Sequence, residues 1–212
     1  MQAKSEILNQ KLRLILSDVA EKAEAVEAAY YQKENNDYVK AYDMPIKNVE
    51  KIRENFERLA PLMFEESNWE EALLIVARIC QENRVAWFLT GSACDAVRGI
   101  AIKPHDLDVE IYSRDWEKAK DVFLEYMIEP FIDVKGWVRE HFGRIVAGGM
   151  QVDVVADARY DLPHYEYEPY EWKGYTLWLE PFSKRYKTEK ERNRKDRIEA
   201  FENCLKNSAI YR

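Results

Sequence analysis

The sequence predicts an α/β (α+β) fold, a mixed sheet flanked by helices with an N-terminal helical extension, and three observations predict it. Apolar residues recur every third or fourth position through the first third of the chain. After Asn83 they recur at every second position or in short runs, the spacing of strands. A Gly148-Gly149 pair then joins two such runs, a strong hairpin signal. Strands that alternate with helices and close on a hairpin make a mixed sheet with helices on its faces. With 212 residues the chain is long enough for one well-packed core and a helical extension.

Taken in order, Ser5 to about Tyr31 reads as a helix carrying Ile7, Leu8, Leu12, Ile15, Leu16, Val19, Ala23 and Val26 on one side, and Asn35-Asn36-Asp37 breaks it. A second helix follows Pro45, a residue suited to a first helical turn, with Ile46, Val49, Ile52, Phe56 and Leu59 on one face; Pro61 stops it. Ser67-x-x-Glu70 has the form of a capping box and opens a third helix through Trp69, Leu73, Val76, Ala77 and Cys80. Val85 to Thr90 reads as a buried strand ending in the Gly91-Ser92 turn, with a short helix from Ala93 to Arg98 behind it. Leu107, Val109 and Ile111 alternate with Asp106, Asp108 and Glu110, as on a strand with one face on a core. Ser113 can cap a helix carrying Trp116, Ala119, Val122, Phe123 and Tyr126. The hairpin strands are Val138 to Ala147 and Met150 to Ala156; a Tyr-, Pro- and Glu-rich loop follows, then a strand at Tyr175 to Leu179 and one charged helix capped by Ser183.

Composition narrows the function. A 47% hydrophobic, 13% aromatic chain is not mainly disordered. No run approaches the ~18 apolar residues of a membrane span, and the charges scattered through MQAKSEILNQKLRL do not resemble a secretory signal. Cys80, Cys94 and Cys204 are odd in number and far apart, which fits a reducing cytoplasm and argues against a disulfide framework or a structural zinc. A net charge of −7 argues against a protein whose main task is to grip nucleic acid, where phosphate neutralisation supplies the affinity. It leaves room for a nucleotide held through metal ions and would favour a cationic co-substrate. The amphipathic N-terminal helices could form a homodimer interface.

The chemistry concentrates in three carboxylates. On a strand, Asp106 and Asp108 project from one face, roughly 7 Å apart. Two like charges on a rigid strand repel, and a divalent cation such as magnesium relieves that repulsion. Asp153 stands between Val152 and Val154, a lone acid in an apolar segment. Each acid alone is more often a solvated residue; if the two strands are neighbours, all three meet. Gly91 permits close backbone approach, and a helix start behind Ser92 suits phosphate oxygens.

The segment FLTGSACDAVRGIAIKPHDLDVEIY resembles the core signature of the polymerase-β-type nucleotidyltransferase superfamily: a Gly-Gly or Gly-Ser turn, a helix, a strand bearing Asp-x-Asp, and a third carboxylate on a later strand. With Arg98-Gly99 before the loop and His105 ahead of the acids, it is most similar to the aminoglycoside and lincosamide nucleotidyltransferases. The tail, WKGYTLWLEP and then Arg194-Lys195-Asp196, is similar to the closing strand and helix of that group. The resemblance runs from about Trp87 to Arg197. Three departures stand out: Ser92 replaces a second glycine, Asp106 follows His105 directly, and the helical part precedes the core.

The periodicity gives a helical N-terminal region over 1–82, and the resemblance implies a nucleotidyltransferase core over 83–182 with a C-terminal helix packed on it over 183–212. It implies a magnesium-dependent enzyme using ATP or another nucleoside triphosphate. Asp106 and Asp108 would bridge two magnesium ions, and Asp153 would bind the second and act as base. Gly91 and Ser92 would cradle phosphates, and Lys195 would lie near the nucleotide. Arg98 would reach phosphate or form a structural salt bridge. His105 would orient a carboxylate or bond locally, and Glu110 would be an outer ligand or solvated. Tyr165, Tyr167, Tyr170 and Trp172 would wall a pocket or pack on the sheet, with packing favoured. The acceptor would be the hydroxyl of a small molecule; protein or RNA nucleotidylation, as in toxin–antitoxin members, and a non-catalytic nucleotide-binding module are the alternatives.

Overall fold

The computed structural model describes residues 27–28, 31–33, 38–40, 44–64, 68–133, 139–161, 163 and 166–207. At its centre is a seven-stranded mixed sheet. In chain order its strands are β1 (Trp87–Thr90), β2 (Leu107–Ile111), β3 (Met127–Asp133), β4 (His141–Ala147), β5 (Met150–Ala156), β6 (Glu168–Trp172) and β7 (Tyr175–Leu179). Across the sheet they run β6-β7-β1-β2-β5-β4-β3. Two neighbouring pairs, β7 with β1 and β2 with β5, are parallel; the rest are antiparallel. The described helices are α1 (Ile46–Leu59), α2 (Trp69–Asn83), α3 (Gly91–Val97), α4 (Trp116–Val122), α5 (Phe182–Glu191) and α6 (Lys195–Asn207).

Strand alternation decides which face is which. Leu89, Leu107, Val109, Val152 and Val154 point into one core, where Ile52, Phe56 and Leu59 of α1 and Leu73, Val76 and Ala77 of α2 meet them. The residues between them on β2 and β5, Asp108 and Asp153 among them, are left to the opposite face. Asn55, fully buried on α1, donates to the Leu124 and Met127 carbonyls and so ties α1 to the start of β3. Trp116 stacks on Phe131 with ring centroids 4.9 Å apart, which seats α4 against the sheet edge. No helix among the described residues is long and apolar enough to cross a membrane.

The expected elements from Ile46 to Ala156 are present, with instructive corrections at their ends. Glu27–Ala28 and Tyr31–Lys33 are extended and pair with Met44–Pro45 and Tyr38–Lys40, so the helix expected to reach Tyr31 does not extend to Glu27; its earlier part and Asn35-Asn36-Asp37 lie outside the described residues. Ser67 lies outside them too. Asn68 caps α2 instead, its side chain accepting from the Glu70 and Glu71 amides. Ser113 caps nothing: a 3-10 turn at Ser113–Asp115 precedes α4, and the Ser113 amide is held by Asp161. Pro181, not Ser183, precedes α5. The single charged C-terminal helix is two, broken at Asn193, whose φ of 52° is left-handed. Two strands of the central sheet were not anticipated, nor were the four short paired segments before α1. β3 carries Pro130, which an edge strand tolerates. β6 turns into β7 through Lys173-Gly174, both at positive φ, a hairpin in which lysine stands where asparagine is usual.

Candidate active site

One residue from each of five adjacent strands forms a polar row across the open face. Thr90 on β1 pairs with Asp108 on β2, Asp108 with Asp153 on β5, Asp153 with Arg144 on β4, and Arg144 with Glu129 on β3. Residues in register point the same way, so these side chains are neighbours. The row ends beyond Thr90, whose hydroxyl donates to Glu180 at 2.5 Å, just past β7. Asp106 lies one residue before β2, partly buried. Asp108 and Asp153 are thus brought side by side by the parallel β2–β5 pair, with Asp106 at the strand's entrance.

Their electrostatics report the crowding. Burial, then the charges of Asp106 and Asp153, push the Asp108 carboxyl up to about 6. Asp106 is also raised, by burial and by Asp153, while His105, Arg197 and Arg144 work the other way. Gly91 explains part of the burial. With φ at +67°, it lies so close that a Cβ there would fall 1.9 Å from Asp108 Oδ2. The close approach that glycine permits here is to the strand's own carboxylate. Gly91→Ala is expected to cost about 1–2 kcal/mol for the left-handed backbone alone and to turn Asp108 out of place. Thermal denaturation and nucleotide affinity, measured together, would check this; an alanine variant matching the parent in both would refute it.

Ser92 is buried in α3 beside Gly91. Lys195, the first residue of α6, is exposed, and the charges of its neighbours Arg192 and Arg197 reach Asp108 and Asp106. Arg98 takes the structural of its two roles. Its side chain is 1% exposed and donates to Cys94 Sγ, to Glu168 at 2.7 Å and to the Glu180 carbonyl at 2.6 Å, locking α3 to β6 and β7 rather than facing the carboxylates. Glu110 is neither solvated nor free: it is buried and forked by Arg139, Nε to Oε1 at 2.8 Å and a terminal nitrogen to Oε2 at 3.2 Å. Tyr167 stacks on Phe88 and Trp172 on Trp69, and Tyr170 packs on the core; Tyr165 lies outside the described residues.

Two functional features were missed in the sequence. Arg144 donates from Nε to Asp153 Oδ1 at 2.7 Å, from a terminal nitrogen to Oδ2 at 3.2 Å, and from the other to Glu129 at 2.8 Å. Gln151 adds a third donor to Asp153 at 3.0 Å. A signal was present: a two-residue turn at Gly148-Gly149 sets Ala147 opposite Met150 and therefore Arg144 opposite Asp153. The second feature is Arg185, which grips Asp95 on α3 at 3.0 and 2.7 Å and Glu189 at 2.8 Å, fastening α5 beneath the Gly91-Ser92 turn. Ninety residues separate that pair, and no local pattern announces it.

For a metal, the donor set divides. Asp106 and Asp108 have the chemistry a hard divalent cation takes, oxygen donors whose mutual repulsion it would relieve. Asp153 has both oxygens occupied by Arg144. Among the described residues, no three His, Cys, Asp or Glu side chains form a group that could hold an ion as they stand.

The mixed sheet, with the Gly91-Ser92 turn pressed on Asp108 and with Asp153 in register on the parallel neighbour, is a fold that recurs among solved structures. Among solved structures the chain is similar to a Thermotoga maritima protein whose nucleotidyltransferase assignment is itself inferred, with a TM-score of 0.50 and 17% identity over 66% of this chain and 94% of that one. It is also similar to ANT(2'')-Ia in complex with adenylyl-2''-tobramycin, at TM-score 0.47 and 9% identity over 68% of this chain and 92% of that one. The third is the antibiotic-resistance factor ANT(2'')-Ia in solution, at TM-score 0.46 and 12% identity over 65% of this chain and 83% of that one. At 17% identity the likeness to the Thermotoga maritima protein is one of fold. No protein-family model and no curated protein matches the sequence.

Proposed function

We propose that the chain is a nucleotidyltransferase that moves a nucleoside monophosphate from a nucleoside triphosphate to a hydroxyl of a small molecule. The observation that carries this reading is the in-register pair Asp108–Asp153, pressed on Gly91 and charge-coupled to Asp106. Asp106 and Asp108 would hold magnesium, which when bound neutralises triphosphate charge and polarises the reacting phosphorus. Gly91 and Ser92 line the turn on the phosphate side, with Lys195 as a further phosphate contact. Asp153 accepts the proton of the acceptor hydroxyl. A bond forms from that oxygen to the α-phosphorus, the bond to the β-phosphate oxygen breaks, and pyrophosphate leaves. Most of the rate comes from positioning and charge neutralisation. The chain's net charge of −7 favours an acceptor that carries positive charge.

A second reading, a non-catalytic module that binds nucleotide, draws on Arg144's grip on Asp153. Incubation with each labelled triphosphate and magnesium, with and without a panel of acceptors, separates the two. Pyrophosphate release that depends on one base and a small hydroxylated acceptor is the expected result. Label passing to protein or RNA would redirect the assignment to those acceptors, and tight binding without release would favour the module.

A further inference from the structure

On the nucleotidyltransferase reading, the row contains three carboxylates, Asp108, Asp153 and Glu129, and one cation, Arg144. That cation lies where a second metal ion would have to act. We infer that Arg144 takes the place of a second divalent ion at Asp153, so that the site holds a single ion, on Asp106 and Asp108.

Four features carry this. The guanidinium meets Asp153 in a two-pronged arrangement, Nε to Oδ1 at 2.7 Å and a terminal nitrogen to Oδ2 at 3.2 Å, and Gln151 donates to Oδ1 as well, so both oxygens are already served. The third nitrogen is anchored on the far side by Glu129 at 2.8 Å, and Glu129 is itself buried. Swinging Arg144 away to free Asp153 would strand that buried carboxylate. Nor can the backbone yield easily: Arg144 and Asp153 are opposite each other, four residues either side of a two-residue turn, within an unbroken ladder from His141–Ala156 to Ala147–Met150. Finally, a planar guanidinium is a fixed charge with donors matched to a carboxylate, and a divalent ion approaching Asp153 would meet it head on. Asp153 then keeps its place beside Asp108 as the group that meets the acceptor hydroxyl, with its orientation set by arginine rather than by metal.

The number of ions bound tests this directly. Manganese bound per chain would be counted by the loss of its free electron-paramagnetic signal, with a saturating α,β-methylene triphosphate and the full chain. One ion is expected for the parent. Arg144→Ala is expected to take two, because Asp153 is released. The charge-balanced Arg144→Met/Glu129→Gln double variant is expected to do the same and guards against a single variant that does not fold. Two ions on the parent would overturn the inference while leaving the nucleotidyltransferase reading intact. One ion on both the parent and a folded Arg144 variant would overturn it as well, since the arginine would not be what excludes the second. No ion on the parent would remove the metal site on which the inference stands.

Discussion

Asp108→Asn is expected to end nucleotidyl transfer, by about 10³-fold or more, and in the same protein to raise the melting temperature at neutral pH. Several kcal/mol of charge stabilisation at the reacting phosphorus would be lost with the carboxylate, which is the scale of that rate. The gain in stability follows from the sign of the shift. Asp108's folded value of about 6 is above the ordinary 3.8, so folding disfavours its charged form. The penalty is absent below pH 4, grows as pH rises through the interval between the two values, and is complete above 6. A gap of about two pH units at about 1.4 kcal/mol each makes it about 3 kcal/mol at pH 7.5. An isosteric amide removes this cost without disturbing the contact with Gly91, and should raise the melting temperature by roughly 5–10 °C. Denaturation of parent and variant from pH 4 to 8 would show the curves converging at the acid end. Magnesium with a non-hydrolysable triphosphate should stabilise the parent and leave the variant unmoved. Full activity in the variant, or equal stability across the whole range, would remove Asp108 from the site.

Arg185→Met carries the largest expected cost to folding. Asp95 and Glu189 are both 0% exposed, and Arg185 occupies both oxygens of Asp95. Glu189 retains Arg194 at 3.3 Å, so the stranded charge is chiefly Asp95. Leaving a buried carboxylate without its partner costs about 3–5 kcal/mol, or a fall of roughly 10 °C for a chain of this length. Arg185→Met/Asp95→Asn should recover much of it, because a neutral side chain has less to lose on burial. Urea denaturation measures both; a single variant within about 1 kcal/mol of the parent would show that the pair contributes little. Because α3 carries the Gly91-Ser92 turn and α5 leads to Arg192 and Lys195, the same substitution should weaken nucleotide binding even where the fold survives.

Strand pairing separates what could be read locally from what could not. The alternation of Leu107, Val109 and Ile111 with three acids was enough to give β2 a core face and a polar face, because the pleat imposes a period of two. Gly148-Gly149 was enough to pair β4 with β5, since both glycines adopt the positive φ such a turn requires. β3 and β6 escaped notice because proline or a lysine-containing turn blurred their signals. The cap at Asn68 differs from the expected serine by one residue, a distance at which neighbouring polar residues compete for the same amides, and Pro181 precedes α5 without a side-chain cap.

By itself the sequence determined that Asp108 and Asp153 stand on strands whose other faces are apolar, with Asp106 just ahead of the first, and that a Gly-Ser turn and a short helix precede the pair Asp106 and Asp108. These are consequences of backbone periodicity, which acts between near neighbours. Only the tertiary structure decided that β2 and β5 lie parallel with Asp108 beside Asp153, that Arg98 and Glu110 are spent on internal partners, and that Arg185 reaches Asp95 across ninety residues. Partners of this kind are chosen by which buried charges end up close together, and that depends on how the whole chain packs.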